Sequence, residues 1–189
     1  MRALVRLPLR SLGQLTVSLL LVSTTVACGS ARSTSAAEAR PMDEGYEIVL
    51  SAPSAAELNS LRQGGKGQPL QVGFGRPLPA ERQQVDLAGL AWAKTASGAF
   101  SATVSVRSPG ARSVRVGVVL DKPLGLEVSF GGRGDVVATV PAVAIVAGSK
   151  PGEPYWSPVI AGDTVVIRLV ATQVPVTGTL QLPVLSHIP

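Results

Sequence analysis

The feature that most constrains the fold is a series of segments that alternate between apolar and polar residues and are separated by turn-forming residues. Over residues 100–107, apolar side chains at the even positions alternate with polar ones at the odd positions. A Ser-Pro-Gly-Ala turn at 108–111 follows, and apolar residues recur at the even positions over residues 113–120 and 126–130. Successive side chains of a strand point to opposite faces of a sheet, so this pattern predicts strands with one buried face.

Further strand candidates lie on both sides of this series. Residues 70–75 alternate, weaker apolar runs cover residues 136–140 and 143–146, and a last run covers residues 179–188. Gly and Pro separate the candidates at intervals of about 8–12 residues, which is typical of all-β sandwiches. The sequence therefore predicts an all-β fold, an antiparallel β-sandwich or jelly-roll-like fold with at most one short N-terminal helix.

The stretch from residue 155 to residue 170 predicts an edge segment followed by a long strand. Pro158 cannot donate to a sheet ladder, which confines residues 155–159 to an edge or a strand end. Gly162 and Asp163 predict a tight turn. Beyond it, positions 165, 167 and 169 face one side of the sheet and positions 166, 168 and 170 face the other.

One short helix is predicted near the start of the domain. Residues 46–50 form a strand candidate ahead of it. Ser54 and Glu57 have the spacing of a capping box, in which Ser caps the helix and Glu bonds back to the cap. Leu58 and Leu61 follow at helical spacing, and a Gly-Gly pair at 64–65 ends the run.

The first residues have the pattern of an export signal. Three arginines precede an uncharged, Leu- and Val-rich stretch over residues 11–27, which is too short and too rich in Ser and Thr for a membrane span of about 20 apolar residues. The sequence Thr-Val-Ala before Cys28, the single cysteine, resembles a bacterial lipobox, in which the cysteine is lipidated. This resemblance, with Gly29 next to the cysteine, implies an exported protein anchored by lipid in the bacterial outer membrane, periplasmic or surface-facing. The alternative is a plain secretory signal with an incidental cysteine.

The charge balance does not indicate a nucleic-acid partner. The chain has 17 basic and 12 acidic residues, and residues 1–27 contain three of the arginines, which leaves 14 basic residues in the predicted mature chain. No run of basic residues occurs. The predicted organisation is a signal peptide (1–27), a flexible tether (28–44), an N-terminal strand and short helix (45–68) and one β-sandwich domain (69–189).

No catalytic or metal site is expected, and no cofactor. A Ser-His-Asp triad needs a histidine, and the single one, His187, lies near the end of the sequence without any nucleophile turn of the Gly-x-Ser-x-Gly type. We therefore expect His187 to be structural or solvent-facing. One histidine and a lipidated cysteine cannot form a zinc site. The acidic residues Asp121, Glu127, Asp135 and Asp163 lack an ordered calcium-ligand spacing, so calcium binding would require a site assembled from separate loops.

Two glycine-rich sequences are interpreted as connections. Residues 131–135 contain an Arg-Gly-Asp tripeptide, and we interpret them as a hairpin loop whose glycines supply positive φ angles. The Gly-Gly-Lys-Gly sequence at 64–67 lacks phosphate-loop spacing and is interpreted as a flexible connector.

Aromatic side chains are the remaining candidates for binding. They form only 4% of the chain, and a sandwich of this size needs most of them in its core. Tyr155 and Trp156 are expected to be the most exposed and are the predicted binding residues, for a protein surface or a sugar. The other aromatic residues considered for a sugar platform are Trp92, Phe100 and Phe130.

Four motifs occur in an order that resembles a known family. They are Pro-Leu-Gln-Val-Gly-Phe-Gly-Arg at 69–76, Val-Arg-Ser-Pro-Gly-Ala at 106–111, Tyr-Trp-Ser-Pro-Val at 155–159 with Gly-Asp at 162–163, and Val-Leu-Ser-His at 184–187. Over about residues 69–188 the chain resembles the N-terminal non-catalytic region that precedes the trypsin-like domain in secreted Gram-negative proteases of the lysyl-endopeptidase type. The resemblance implies a β-sandwich without catalytic residues of its own.

The resemblance also implies a function in protein binding. The domain would assist the folding of a trypsin-like peptidase, restrain it or present it, with the peptidase in trans or as a C-terminal domain. Two alternatives remain open: a carbohydrate- or envelope-binding module that uses Tyr155 and Trp156, and an N-terminal fragment of a longer trypsin-like serine protease.

Overall fold

The computed structural model describes residues 45–61 and 71–189, which form two β-sheets and two short helices. The predicted signal peptide, Cys28, the tether and the Gly-Gly pair at 64–65 lie outside the described residues. In spatial order, the first sheet consists of β1 (Tyr46–Val49), β5 (Phe100–Arg107), β11 (Thr164–Ala171), β7 (Leu126–Gly131) and β8 (Val136–Pro141), and β4 (Ala93–Lys94) pairs with β5. Among these pairings only β1 with β5 is parallel.

The second sheet is built around β6 (Ser113–Leu120). On one side of β6 lie β12 (Thr179–Gln181) and β13 (Val184–Ile188), which pair in turn with β3 (Gln84–Asp86) and β2 (Phe74–Pro77). On the other side lie the short strands β9 (Tyr155–Trp156) and β10 (Ile160–Ala161). The prediction of an antiparallel β-sandwich is therefore confirmed.

The core lies between the two sheets and contains the faces that the alternation predicted. Val104 and Val106 of β5, Val114, Val116 and Val118 of β6, and Val165, Ile167 and Leu169 of β11 are fully buried. In β7, Val128 and Phe130 are fully buried while Glu127 is exposed. The period of two thus predicted correctly which side of each long strand faces the core.

The predicted capping box begins α1 (Ala55–Ser60). The Ser54 hydroxyl accepts a hydrogen bond from the Glu57 backbone N–H at 3.2 Å, and the Ser54 backbone N–H donates to Glu57 Oε2 at 2.7 Å. This backbone donor, followed by the Ser54 hydroxyl and the Arg76 guanidinium, lowers the pKa of Glu57. Reciprocal capping therefore defines where the helix begins.

The predicted strand at residues 143–146 is wrong, because these residues belong to α2 (Ala142–Gly148). The fold accordingly has a second helix, and it does not lie at the N-terminus. Ala142 and Ile145 are fully buried while Val143 is 56% exposed, which is helical rather than strand spacing. A short apolar run does not by itself distinguish a strand from a helix. Here the segment follows Pro141 at the end of β8 and packs on β6, β7, β8 and β9.

Two other predicted strands differ in extent. The alternation at 70–75 becomes β2 only from Phe74 onward, and Val72 is 64% exposed. The run at 179–188 is divided into β12 and β13 by Leu182 and Pro183. Pro183 has no backbone N–H to donate to the ladder, which explains the interruption between β12 and β13.

The predicted turn at Gly162 is confirmed, with a φ of 95° that favours glycine. The Arg-Gly-Asp sequence does form the hairpin loop between β7 and β8, but its glycines are not among those with positive φ. Glycine is needed at Gly131 for another reason, since a Cβ there would collide with the carbonyl of Asp135. In the described part of the chain, no helix has the length and apolar character that a membrane span requires.

Candidate functional site

The segment from Tyr155 to Ala161 forms an edge of the second sheet, as Pro158 predicted. Tyr155 pairs with Val118 and Trp156 with Gly117, and β10 resumes the same ladder against the start of β6. Both β9 and β10 pair with β6 alone among the described strands. The outer edge of this segment therefore leaves backbone groups free of strand partners.

Ser157 and Pro158 explain why the edge is broken between β9 and β10. The Ser157 backbone N–H donates to the Val116 carbonyl at 3.0 Å, but the Val116 N–H donates to the Ser157 hydroxyl instead of a backbone carbonyl, also at 3.0 Å. The Ser157 hydroxyl in turn donates to the Pro158 carbonyl at 2.9 Å. A buried side chain thus completes the ladder where the backbone turns away.

Tyr155 and Trp156 face opposite sides of this edge. Tyr155 packs inward on Phe130, with ring centroids 6.2 Å apart and planes inclined by 23°. Trp156 is 36% exposed, and the Arg115 guanidinium carbon lies 5.1 Å from its ring centroid. The two rings therefore do not form a common platform, and only Trp156 presents its ring to a ligand.

The other aromatic residues considered for a sugar platform lie wholly or partly in the interior. Phe130 is fully buried, and Trp92 packs against the core while its indole N–H donates to the Leu87 carbonyl at 2.8 Å. Phe100 is half-buried at the start of β5. The core takes most of the aromatic residues, as expected for a sandwich with so few of them.

Trp156 lies in surroundings suited to protein contact. Arg115 covers one face of the ring, Val159 is 51% exposed nearby in the chain, and the outer backbone edge has no strand partner among the described residues. Tryptophan and arginine are the residue types that most often dominate binding energy at interfaces. An open edge can in addition pair with a strand of a partner.

His187 is buried and belongs to a polar network in the second sheet. Its Nδ1 lies 2.9 Å from the Ser108 hydroxyl, which accepts a hydrogen bond from Arg76 Nη1 at 3.0 Å. The guanidinium can only donate, so the Ser108 hydroxyl accepts from Arg76 and also shares a hydrogen bond with Nδ1, whose direction depends on the tautomer of the ring. Burial, followed by the positive charge of Arg76, lowers the pKa of His187 despite the opposing effect of Glu57.

This Ser–His contact is structural rather than catalytic. Ser108 and His187 are both fully buried, and the Ser108 hydroxyl accepts a hydrogen bond from the Arg76 guanidinium, whereas in a Ser-His-Asp triad the serine is accessible to substrate and a carboxylate binds the second nitrogen of the histidine. Nε2 of His187 has no hydrogen-bond partner among the described residues. The structural interpretation of His187 is the one that the geometry supports.

Two of the four acidic residues considered for calcium, Asp163 and Asp121, make other contacts. Asp163 binds Arg107 at 2.9 Å, and this hydrogen bond and that from Thr164 lower the pKa of Asp163. Asp121 accepts from the Thr179 backbone N–H at 3.1 Å. Within residues 45–61 and 71–189, no group of three or more His, Cys, Asp and Glu side chains could hold a metal ion.

A concavity lies on the outer face of the first sheet, where the sequence predicted no site. It encloses about 750 Å³, and its floor is rich in hydroxyl groups around Arg168. Its floor and rim consist of residues from β5, β7 and β11, the start of β1 and two connecting loops: Gly45, Glu47, Thr95, Ser97, Ser101, Thr103, Ser105, Ser129, residues 131–136, Thr164, Val166, Arg168 and Val170. The alternation placed Arg168 on an outer face, but only the strand order brings these hydroxyl groups around it.

Comparison with known proteins places the chain in a family. The model of the lysyl endopeptidase N-terminal domain family matches residues 49–189. A lysyl endopeptidase of Pseudomonas aeruginosa is 32% identical over 123 residues, which cover 62% of this chain but only 25% of that protein. The chain thus spans about a quarter of the length of this relative. Since the family model matches most of the chain, the protein belongs to the lysyl endopeptidase N-terminal domain family.

Proposed function

We propose that this domain binds a trypsin-like peptidase, either in trans or as a linked domain, and acts on its folding, restraint or presentation. The observation that carries the proposal is family membership, because the family is defined by a domain that accompanies a lysyl endopeptidase. The family match is compatible with a longer chain that contains a peptidase domain, so a linked peptidase domain is one form of the same proposal. The domain itself would contribute binding and no hydrolysis.

The edge formed by β9 and β10 is the proposed contact. The backbone groups on the outer side of β9 and β10, away from β6, lack a strand partner in the described residues, and Trp156 supplies an exposed aromatic ring. Strand addition at such an edge gives affinity through main-chain hydrogen bonds, and a neighbouring aromatic side chain gives specificity. The carbohydrate alternative has less support, because Tyr155 packs into the core and leaves Trp156 alone on the surface.

The decisive experiment is a calorimetric titration of the purified protein against a trypsin-like peptidase from the same genome. We expect binding, and we expect Trp156→Ala to weaken it by more than about 1 kcal/mol. Val176→Ala is the matched control, since Val176 is 86% exposed in a different loop and should leave the affinity unchanged. Absence of binding, or equal affinity of the Trp156→Ala variant, would contradict the proposal.

Two further measurements separate the alternatives. The protein alone should show no hydrolysis of peptide or ester substrates, whereas turnover would show that catalysis resides in this chain. A glycan panel with wild type and Trp156→Ala should show no Trp156-dependent binding. A Trp156-dependent glycan signal without peptidase binding would establish the carbohydrate-binding function instead.

A further inference from the structure

The concavity on the first sheet contains a positive charge with no partner. Arg168 is exposed on β11, and it makes no hydrogen bond, ion pair or ring contact with any residue that the structure describes. The other arginine of the concavity, Arg133, lies 3.9 Å from Glu47 at the rim. Arg168 is therefore a positive charge on the floor without an ion-pair partner among the described residues, and its position is central: it pairs in register with Thr103 of β5 and with Ser129 of β7.

The residues that flank Arg168 on β11 and face it on β5 are uncharged and alternate between hydroxyl groups and small apolar groups. The carboxylates on this side of the sheet are Glu47 at the rim, Asp135 in the loop of residues 131–136, and Glu127, two residues before Ser129 on β7. Val166 and Val170 flank Arg168 on the same face of β11, and Ser101, Thr103 and Ser105 form a parallel row on β5. The Ser129 hydroxyl is engaged by Thr139 at 2.8 Å. An arginine fork binds a carboxylate through two parallel N–H···O bonds, and free hydroxyl groups can bond the amide groups beside it.

The lining distinguishes a polypeptide from a sugar. None of the described residues that line the concavity is aromatic, so they offer no ring on which a sugar could stack. Its valines suit the methylene groups of amino-acid side chains. One wall is the loop of residues 131–136, where Gly132 and Gly134 have no side chain to cover the backbone. Exposed N–H and C=O groups there can bond an extended main chain.

We propose that this concave face binds an extended polypeptide segment that carries a carboxylate, with Arg168 as the partner of that carboxylate. The site lies on the sheet opposite to the one that contains β9 and β10, so it is independent of the proposed peptidase contact. It would give the domain a second binding surface with a preference for acidic segments.

The test uses the purified protein, immobilised, with two random heptapeptide libraries in which the central residue is either Glu or Gln. We expect about tenfold or greater enrichment from the Glu library. A peptide from the enriched pool should bind Arg168→Gln at least about tenfold more weakly, and Arg168→Lys should have intermediate affinity because it keeps the charge without the planar fork. Raising the salt concentration should weaken binding of the same peptide.

Lys122→Gln is the control, because it removes an exposed positive charge from the connection between β6 and β7, outside both proposed binding surfaces, and should leave peptide binding unchanged. Thermal melting checks that each variant is folded, and we expect no unfolding because each replaced side chain is exposed. Equal enrichment of the two libraries, no enrichment, or full binding by Arg168→Gln would overturn the proposal. Arg168-dependent binding of an oligogalacturonate without enrichment of acidic peptides would overturn it as well, since the ligand would then be an acidic glycan.

Discussion

Arg76, Ser108 and His187 form a buried polar chain. Arg76 can only donate, so the Ser108 hydroxyl accepts from it and shares a second hydrogen bond with Nδ1 of His187. A second proton on the imidazole would place two cations side by side in the core, an effect that the Glu57 carboxylate opposes. The neutral ring is thus part of the folded state, and Phe74 packs beside it with ring centroids 5.0 Å apart.

The first prediction concerns the pH dependence of stability. The folded pKa of His187 lies below its ordinary value of 6.5, so the unfolded chain binds a proton first as the pH falls. The free energy of unfolding should therefore decrease as the pH falls below about 6.5, by at most about 1.4 kcal/mol per pH unit for one proton, until the folded pKa is reached. Urea unfolding between about pH 5 and pH 8 measures this slope.

The control for this prediction is His187→Asn, which keeps an acceptor for Ser108 and cannot be protonated. It should be less stable because it loses ring packing, but its stability should vary much less over the same pH range. Glu57 and Asp163 contribute little to this slope. Their pKa values are lowered in the folded state, so they change the free energy of unfolding mainly at pH below their ordinary pKa values of 4.5 and 3.8. Equal slopes for wild type and variant would show that His187 does not carry the proton linkage.

Each strand and helix of this sandwich packs on the core through a whole buried face rather than through a single contact. In β5, even-numbered side chains from position 102 onward are buried and the odd-numbered ones lie on the outer face. In α2 the buried positions are three residues apart. Both patterns can be tested by placing a charge on either side of the same element.

For β5 we expect Val104→Asp to unfold the domain or to lower its stability by more than about 4 kcal/mol. Val104 is fully buried, and an unpaired carboxylate there would lose its hydration without a partner. Ser105→Asp, one residue along on the outer face, should cost less than about 1 kcal/mol. Thermal melts of both variants check this, and similar melting temperatures would contradict the register of the strand.

For α2 the informative pair is Ile145→Asp and Val143→Asp. In a strand, these positions would face the same side and respond alike, whereas in a helix two positions so spaced point in different directions. Ile145 is fully buried and Val143 is 56% exposed. We expect Ile145→Asp to destabilise the domain by several kcal/mol and Val143→Asp to change its stability by less than about 1 kcal/mol in chemical denaturation. Equal losses would indicate strand rather than helical geometry.

In the molecule as a whole, the two proposed binding surfaces belong to different sheets. The edge at Trp156 lies on the second sheet, and the concavity at Arg168 lies on the first, with the apolar core between them. A domain built in this way can contact a peptidase at one surface and a separate acidic segment at the other. A lipid anchor at Cys28, which we propose from the sequence, would hold both surfaces near a membrane.

The anchor is tested by Cys28→Ala in the complete chain expressed in a Gram-negative host. We expect wild type in the membrane fraction, and the variant either uncleaved or soluble, because buried acyl chains contribute about 0.8 kcal/mol per CH₂ to membrane binding. Mass spectrometry should show the acyl groups on wild type alone. Ser30→Ala, which retains the cysteine, should behave like wild type, and unchanged mass and fractionation of Cys28→Ala would exclude the anchor.

The sequence by itself determined those features that depend on neighbouring residues. Alternation over residues 100–107 predicted the buried face of β5, and the Ser54–Glu57 spacing predicted the start of α1. Pro158 predicted an edge and Gly162 a turn, each because one residue type restricts the backbone in one way. The order of four short motifs was sufficient to recognise the family before any contact was known.

The tertiary structure alone decided which distant segments meet. His187 becomes a buried part of the core because Ser108, 79 residues earlier, and Arg76, a further 32 residues earlier, converge on it. Arg168 becomes the centre of a concavity only because β5 and β7 lie on either side of β11, and residues 143–146 become helical because of the packing at that end of the sandwich. Periodicity and capping act within a few residues of the chain, whereas strand order depends on contacts between residues far apart in sequence, whose partners a local pattern does not specify.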